Sequence, residues 1–264
     1  MNMKLKSTLA IATLLTGTAV MAQTKAPEPD YTLSYNVGAV SDYRFRGMAQ
    51  TSFNPAVQGG IDFSHKSGLY LGAWVSNVSW VKDLNGASAG SMELDLYGGY
   101  KGSVTKDLGF DIGLISYQYP GNNSGTAVGT LVAPGTFSNA STTEVYGALS
   151  YAMFTLKYSR SVTDFLGNLN SSGSQYLDLS AAFDLGSGFT LTPHIGRQTI
   201  PNQGGLGDYT DYSLSLAKDM GNGLTLSAAA SGTDASGARK VFYTDTKGKF
   251  LGNSALSIGL KYSF

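Results

Sequence analysis

The sequence contains no cysteine, little charge and no long hydrophobic run past its N-terminus. The lack of cysteine excludes a disulfide framework, a thiolate nucleophile and a cysteine-ligated metal site. Charged residues make up 14% of the chain, whereas soluble domains average about 25%. A membrane-spanning helix needs about 20 apolar residues in a row, so a helical membrane protein is excluded while a membrane β-barrel is not.

Basic and acidic residues are equal in number, 18 of each, and the formal net charge is zero. A neutral chain gives no reason to expect nucleic acid as a partner. Glycine and aromatic residues are abundant instead, with 34 Gly, 16 Tyr and 12 Phe. The composition therefore differs from that of a soluble domain in two ways, since charged residues are few and glycine and aromatic residues are many.

The N-terminus has the composition of a secretory signal peptide. Lys4 and Lys6 form a basic region, Leu9–Val20 an apolar core, and Ala22 a small residue at a cleavage position. An N-terminal anchor helix is the weaker alternative, because the apolar core is short and three threonines interrupt it. The sequence predicts a signal peptide at 1–22, cleaved on export.

Apolar and polar residues alternate with period two from Tyr31 onward, which is typical of strands with two unlike faces. Between Tyr31 and Arg46 one face carries mainly Tyr, Leu, Val and Phe and the other mainly Thr, Ser, Asn, Asp and Arg, and the phase holds except at Val40 and Ser41. The stretch SDYRFRG is therefore predicted to continue the first strand rather than to begin a loop. Two sets of apolar residues compete between Leu69 and Val81, so the phase of that strand stays open.

Twelve such strands alternate with short turns and long connections, which is the pattern of a transmembrane antiparallel β-barrel with short periplasmic turns and long extracellular loops. A closed sheet also pairs every backbone group, as hydrocarbon requires. A soluble sandwich would alternate too, but aromatic residues beside the short turns favour the barrel. We predict an all-β barrel at 31–264 after a short periplasmic segment at 23–30. The strands begin near Tyr31, Pro55, Leu69, Met92, Gly109, Thr143, Met153, Gln175, Phe189, Tyr209, Leu224 and Ser254.

The chain ends in LSIGLKYSF, which places Leu260, Tyr262 and Phe264 on one face. This ending resembles the C-terminal signal by which assembly machinery recognises bacterial outer-membrane barrels. The alternative is an ordinary edge strand, but an exposed apolar edge on a secreted chain would invite aggregation. We therefore interpret these three residues as an assembly signal.

The inward faces of the predicted strands carry the candidate site residues. Arg44 and Arg46 share a face with Asp42, so we expect them to point into the lumen while Tyr43 and Phe45 point outward. They form either a charged ring that selects solutes or an ion-pair network with Asp42, Asp62 or acids of neighbouring strands that braces the barrel wall. The predicted pore-lining residues are Asp42, Arg44, Arg46, Asp62, Glu93, Asp95, Lys101, Glu144, Lys157, Asp178, His194 and Asp211.

Catalytic patterns are scarce. A lipid hydrolase would need a serine and a histidine near the lipid interface, with a third residue orienting the ring. His65 is predicted in a short turn and His194 on an inward face, which is wrong for attack on lipid. We predict no catalytic residues, no metal site and no cofactor.

Several segments together resemble one known family. SDYRFRGMAQT, NPAVQGGIDFS, SGLYLGAWVSNV, ELDLYGGYKG and GLISYQYPG are similar to the TorF family, a conserved outer-membrane barrel family of the Gcw_chp type whose function is unknown. The resemblance covers nearly all of the chain after the signal peptide. It implies an outer-membrane barrel that passes small solutes, and it brings no binding residues with it.

The sequence thus predicts a porin-like channel of the bacterial outer membrane for passive diffusion of small hydrophilic solutes. The alternative is a structural or surface-recognition barrel with an occluded lumen, since twelve strands make a narrow tube. An outer-membrane hydrolase is less favoured. The expected partners are outer-membrane lipid and lipopolysaccharide, the barrel-assembly machinery and small solutes, without nucleic acid.

Overall fold

The computed structural model describes residues 29–126 and 132–264. The predicted signal peptide at 1–22 lies outside the described residues, as does all but the end of the 23–30 segment. Strands make up most of what is described, and the two helices are short. The strands are β1 (Tyr31–Val40), β2 (Arg44–Phe45), β3 (Met48–Ala49), β4 (Ala56–His65), β5 (Leu69–Asn77), β6 (Met92–Ser103), β7 (Leu108–Gln118), β8 (Thr142–Tyr151), β9 (Phe154–Ser161), β10 (Gln175–Ala181), β11 (Phe183–Gly186), β12 (Phe189–Thr199), β13 (Tyr209–Gly221), β14 (Leu224–Thr233) and β15 (Ala255–Ser263), and the helices are α1 (Trp80–Asp83) and α2 (Ala238–Phe242).

The strands form one closed antiparallel barrel. Each wall strand pairs with its neighbours in the chain, β1 also pairs with β15, and β10 pairs with both β9 and β12. β10 and β11 are two parts of one wall strand, since both pair with β12. The wall therefore has the twelve strands that the sequence predicts, and each begins within one residue of its predicted start. Neither short helix is long and apolar enough to cross a membrane, and no other helix among the described residues is.

Phe264 belongs to the seam that closes the barrel. The Tyr35 amide donates to the Phe264 carbonyl at 2.8 Å, and the Phe264 amide donates back to the Tyr35 carbonyl at 2.9 Å. The two rings stack with their centroids 5.7 Å apart. The last residue of the chain thus completes the pairing of β15 with β1.

The two faces of the wall differ as the alternation predicts. Large apolar side chains stand on the outside, for example Leu33, Leu114 and Ile258. In β5 the outward residues are Leu69, Leu71 and Val75, whereas Tyr70 and Trp74 are partly buried on the inside. The phase that the sequence left open is therefore settled by this strand's place in the closed sheet.

The connections differ in length at the two ends of the barrel. One end, the short-turn end, has turns of two to four residues, including Ser187–Gly188 and Asn222–Gly223. Both residues of each turn have positive φ: 51° and 77° in the first turn, and 52° and 82° in the second. Positive φ at both positions is typical of the type I′ turn, whose geometry matches the twist of the strands. The other end, the long-loop end, has connections at 41–55, 78–91, 119–141, 162–174, 200–208 and 234–254.

The first long connection contradicts the prediction that SDYRFRG extends the first strand. β1 ends at Val40, and β2 and β3 form a separate two-stranded sheet joined by Arg46–Gly47, with φ of 48° and 77°. We call residues 42–53 the inner hairpin. Tyr43 and Phe45 were expected to point outward, and this is wrong, because they contact inward side chains. The Tyr43 ring lies 5.5 Å from Trp74, and the Phe45 ring 5.3 Å from Tyr117.

The main apolar core lies at the long-loop end. It is built by four of the long connections together with one residue each from β7 and β13, and we call it the loop core. The inner hairpin is part of it, so the loops cover the barrel mouth as one packed unit. Its members are Met48, Ala49, Val78, Trp80, Val81, Ala87, Tyr117, Tyr119, Ala140, Tyr209, Ala235, Tyr243, Phe250 and Leu251.

Candidate functional site: the lumen cavity and the inner hairpin

Arg46 joins the tip of the inner hairpin to the far wall of the barrel. Its Nη2 lies 2.7 Å from Glu144 Oε2 on β8, and its Nη1 donates to Gln198 Oε1 on β12 at 2.8 Å. The guanidinium also stands 4.2 Å from the centroid of the Tyr176 ring. The hairpin leaves the wall at β1, and β8 is the fifth strand from β1 in one direction and the seventh in the other. Arg46 therefore spans the lumen.

Arg44 fixes the base of the hairpin. Its Nε lies 2.6 Å from Asp42 Oδ2, and its Nη1 donates to the carbonyls of Gly47 and Asn253, both at 2.9 Å. Burial raises the pKa of Asp42, although the neighbouring Arg44 acts in the opposite direction. Arg44 thereby ties the hairpin to the 234–254 connection. The predicted ion pair with Asp42 is present for Arg44, whereas Arg46 pairs with Glu144 across the lumen and not with an acid of a neighbouring strand.

Gly47 sets how closely the hairpin approaches the wall. A Cβ at this position would lie 2.7 Å from Asp211 Cβ and 2.8 Å from Thr233 Cγ2. Its φ of 77° also favours glycine. Any larger residue would push the turn away from β13 and β14, so the seating of the hairpin depends on this glycine.

A cavity of about 400 Å³ lies beside the hairpin, inside the barrel. It is lined by both hairpin arginines and by charged or polar residues of the opposite wall. A cavity with several charged side chains is one that water fills readily. The arginine, lysine, aspartate and histidine residues that line it are Arg44, Arg46, Lys157, Asp178, His194 and Asp211.

His194 lies between two carboxylates of this cavity. Its Nε2 is 2.5 Å from Asp178 Oδ2, and its Nδ1 is 3.6 Å from Asp211 Oδ1. The Tyr176 hydroxyl donates to Asp211 Oδ2 at 2.9 Å. In the described part of the chain, no group of three or more His, Asp or Glu has metal-binding geometry. The cluster is a hydrogen-bonded network that holds the side chains of β10, β12 and β13 against each other.

Lys157 is the cavity's most available cation. Its ammonium lies 4.0 Å from the centroid of the Tyr146 ring, and it forms no ion pair with a described residue. Asp178 stands opposite Lys157 in the β9–β10 register, but its carboxylate bonds His194 instead. Each hairpin arginine is therefore paired with a carboxylate, whereas Lys157 is not paired with one among the described residues.

Tyrosines crowd one side of the lumen. The Tyr70 hydroxyl donates to Asp111 and hydrogen-bonds the Tyr146 hydroxyl, and the Tyr97 hydroxyl donates to Asp62 at 2.6 Å. Each ring covers a glycine of a neighbouring strand, where an added Cβ would lie within 2.7 Å of the tyrosine. These tyrosines were missed among the predicted lumen residues. The sequence carried a signal for one of them, because Tyr97 lies on the same face of its strand as Glu93 and Asp95, which were predicted to point inward. The three covered glycines are Gly72, Gly99 and Gly113.

The opposite side of the lumen carries small side chains. Paired inward positions of β13, β14, β15 and β1 hold mainly serine, alanine and glycine. We call this side the serine wall, and two of its residues, Ser213 and Ser231, line the cavity beside the hairpin. Its residues are Ser34, Gly38, Ser213, Ser215, Ala217, Ser227, Ala229, Ser231, Ser257 and Gly259.

The remaining predicted site residues lie apart from the cavity. Glu93 accepts a hydrogen bond from Tyr43 at 3.5 Å and is buried with Asp95 near the long-loop end. Lys101 lies 5.5 Å from the Tyr70 ring centroid. Whether all these residues line an open pore stays a prediction. Leu260, Tyr262 and Phe264 stand on the outer face, and their role in assembly is likewise a prediction.

Comparisons with known proteins place the chain in a bacterial family. A family model described as "Bacterial protein of unknown function (Gcw_chp)" matches residues 24–264. No curated protein matches the sequence. Among solved structures, the KdgM porin has 8% sequence identity and a TM-score of 0.52, covering 88% of this chain and 99% of that one. A structure described as "KdgM porin in complex with disordered oligogalacturonate" gives the same identity and TM-score, with 88% and 98% covered. At this identity the similarity concerns the fold.

Proposed function

The chain belongs to the Gcw_chp family of bacterial proteins of unknown function, and we propose that it is an outer-membrane channel for the passive diffusion of small hydrophilic solutes. The outer face of the wall supports the membrane location. It exposes large apolar side chains on every wall strand, an arrangement that is unfavourable in water and favourable in lipid. A closed barrel leaves no unpaired strand edge in the hydrocarbon.

The observation that carries the proposal is the polar cavity of about 400 Å³ inside the barrel. A barrel that served only as a scaffold would gain stability by filling this space with apolar side chains. The charged groups beside the hairpin and the short side chains of the serine wall instead favour a water-filled path. Solutes would pass along the serine wall, restricted by the inner hairpin.

A second candidate function has an observation in its favour. The inner hairpin and the loop core cover the long-loop end, as expected for a structural or surface-recognition barrel with an occluded lumen. The two candidates differ in one measurable property, which is whether solutes cross the barrel. Arg46 and Arg44 favour the occluded state, because both hold the hairpin in place.

The proposal extends to export, partners and family. We propose a cleaved signal peptide at 1–22, insertion by the barrel-assembly machinery, and contact with lipid and lipopolysaccharide. We also propose no catalytic activity and membership of the TorF group, on the motifs quoted above. These statements rest on the sequence patterns and on the apolar outer face.

Swelling of proteoliposomes tests the proposal. Vesicles that contain the purified barrel are moved into isotonic solutions of glycerol, a pentose or a disaccharide. We expect swelling with glycerol, slower swelling with the pentose and little with the disaccharide, since the cavity is small. Swelling with each solute at the rate of protein-free vesicles in the same solute would support the occluded barrel and contradict the channel.

A further inference from the structure

The inside of the barrel holds more acidic than basic side chains. Of the pore-lining residues predicted from the sequence, seven are acidic and four are basic, with His194 in addition. The strand register adds the acids Asp111, Asp184 and Asp219 and the base Lys261, because it pairs each of them with an inward position of a neighbouring strand. Among the described residues, ten acidic side chains therefore share the interior with five basic ones. The formal net charge of the whole chain is zero, so the fold itself creates this excess.

The excess does not depend on one protonation state. A charged His194 would compensate one carboxylate. Glu93 and Asp95 contact each other, and two carboxyl groups at one site can share a proton, which would remove a second negative charge. Three negative charges would still remain uncompensated.

Two of the inward acids have neutral partners and partial access to the lumen. The Tyr97 hydroxyl donates to Asp62 at 2.6 Å, and the Tyr70 hydroxyl donates to Asp111 at 2.6 Å. Both aspartates are partly exposed. A tyrosine hydroxyl supplies a hydrogen bond but no positive charge. The charges of these two carboxylates therefore act on whatever enters the lumen.

The buried inward acids show the same shortage of positive charge. One carboxylate oxygen each of Asp42, Glu93, Asp95 and Glu144 is buried without a hydrogen-bond partner among the described residues. The basic side chains of the interior leave one such nitrogen, Arg44 Nη2. Buried polar atoms without partners are rare in folded proteins. The interior thus has more acceptors and negative charge than its own donors satisfy.

We infer that the lumen favours small cations, including organic molecules with an ammonium group, over anions of the same size. Two ammonium groups of the chain already lie in it over tyrosine rings. Lys157 Nζ is 4.0 Å from the Tyr146 ring centroid, and Lys101 Nζ is 5.5 Å from that of Tyr70. Aromatic faces attract cations, so the tyrosines act in the same direction as the carboxylates.

The dimensions of the barrel make this charge effective. Twelve strands enclose a narrow lumen, and charges in water act over a Debye length of about 8 Å at physiological ionic strength. A solute inside the barrel is therefore never far from the wall charges, and a cleft lined by one sign of charge concentrates the opposite ion. Selective transport of cations rests on the proposed function, whereas the negative potential of the lumen does not.

Thiol labelling in lipid nanodiscs measures this potential without transport. The loop core lies at the long-loop end, so small reagents are expected to enter from the short-turn end. Ser215 on the serine wall is partly exposed and contacts only a backbone carbonyl. Ser215→Cys is treated with methanethiosulfonates of similar size that carry a trimethylammonium or a sulfonate group. Relative to a free thiol in solution, we expect the cationic reagent to be favoured at least roughly 10-fold, since a potential of little more than one kT acts oppositely on the two.

Charge variants of Ser215→Cys separate the lumen charge from other causes. Asp62→Asn with Asp111→Asn keeps both acceptors for the tyrosine hydroxyls, and it should lower the rate ratio several-fold. Lys101→Gln should raise the ratio, so a general loss of structure cannot imitate both results. Asp107→Asn removes an exposed acid from a short turn and is the matched control, with an unchanged ratio. Raising the salt concentration to 1 M should bring every ratio towards that of the free thiol.

Two results would overturn the inference. One is a rate ratio that equals the free-thiol value or favours the anionic reagent. The other is the absence of labelling by either reagent in the folded barrel, because the lumen would then admit no solute. Cation-favoured labelling of a barrel that passes no current would leave the inference standing and refute the channel. A conducting barrel with equal permeability to K⁺ and Cl⁻ and no labelling preference would do the reverse.

Discussion

Replacing Arg46 with glutamine should release the inner hairpin from the far wall while the barrel stays folded. The hairpin contributes no strand to the twelve-stranded wall, so the backbone hydrogen bonds of the barrel do not depend on it. Glutamine is too short to reach both Glu144 and Gln198 across the lumen. The variant should therefore favour an undocked hairpin rather than an unfolded chain.

The burial of the ion pair sets the size of the effect. The side chains of Arg46 and Glu144 are 7% and 1% exposed, and Glu144 Oε1 already has no partner. Removing one member of such a buried pair costs about 3–5 kcal/mol, because the other charge stays buried and uncompensated. An exposed pair such as Lys66–Asp30, whose side chains are 68% and 56% exposed, contributes about 0–1 kcal/mol to stability. Lys66→Gln is therefore a matched control.

Thiol labelling measures the docking directly, since the chain has no native cysteine. Ala49 is completely buried in the hairpin, and Ala49→Cys is a small change. A free-energy cost of about 3 kcal/mol corresponds to labelling by a water-soluble maleimide that is at least about 100-fold faster in Arg46→Gln. Heat-modifiable mobility on gels confirms in parallel that the barrel is intact.

A double variant separates the stranded charge from the lost contacts. Arg46→Gln combined with Glu144→Gln removes both charges, so its labelling rate should fall between those of the parent and Arg46→Gln. The docking role of Arg46 is refuted if Arg46→Gln labels at the parent rate while folded. It is also refuted if Lys66→Gln accelerates labelling as much as Arg46→Gln does.

Three further experiments test the hairpin turn, the last residue and the orientation of β13. Gly47→Ala should undock the hairpin by about 1–3 kcal/mol, measured by the same labelling, because its Cβ would meet the wall; Gly121→Ala, which also has positive φ but open space around it, should not. Phe264→Ser should reduce the heat-modifiable barrel in outer membranes, and unchanged levels would argue against an assembly signal. A water-soluble thiol reagent should label Ser213→Cys but not Leu214→Cys in membranes, and the reverse pattern would mean that the two faces of β13 are exchanged.

The wall of the barrel could be predicted from the sequence because its two faces meet opposite surroundings. Lipid or an apolar medium selects residues such as Leu33 and Ile258, and the lumen selects polar ones, so the period survives in every wall strand. The register then follows, since a slip by one residue would exchange the faces. Only β5 was ambiguous, because its inward residues, Tyr70 and Trp74, are themselves large and partly apolar.

The inner hairpin could not be predicted in the same way. Its residues continue the alternation of β1 and therefore look like part of that strand. Tyr43 and Phe45 contact aromatic rings inside the barrel, whereas the alternation predicted that they would face lipid. The turn at Arg46–Gly47 has positive φ at both residues, but arginine is not among the residues that usually mark such turns. The partners Glu144 and Gln198 are about 100 and 150 residues away along the chain, so no local pattern connects them.

The central claim is that the lumen conducts once the hairpin allows it, and single-channel current in a planar bilayer tests it most directly. Val40 and Ala56 pair directly in the wall, so residues 42–53 can be replaced by a short Gly-Ser linker without disturbing β1 or β4. We predict discrete current steps from the parent protein and clearly larger steps from this variant. Silent bilayers with both folded proteins would contradict the channel and support an occluded barrel.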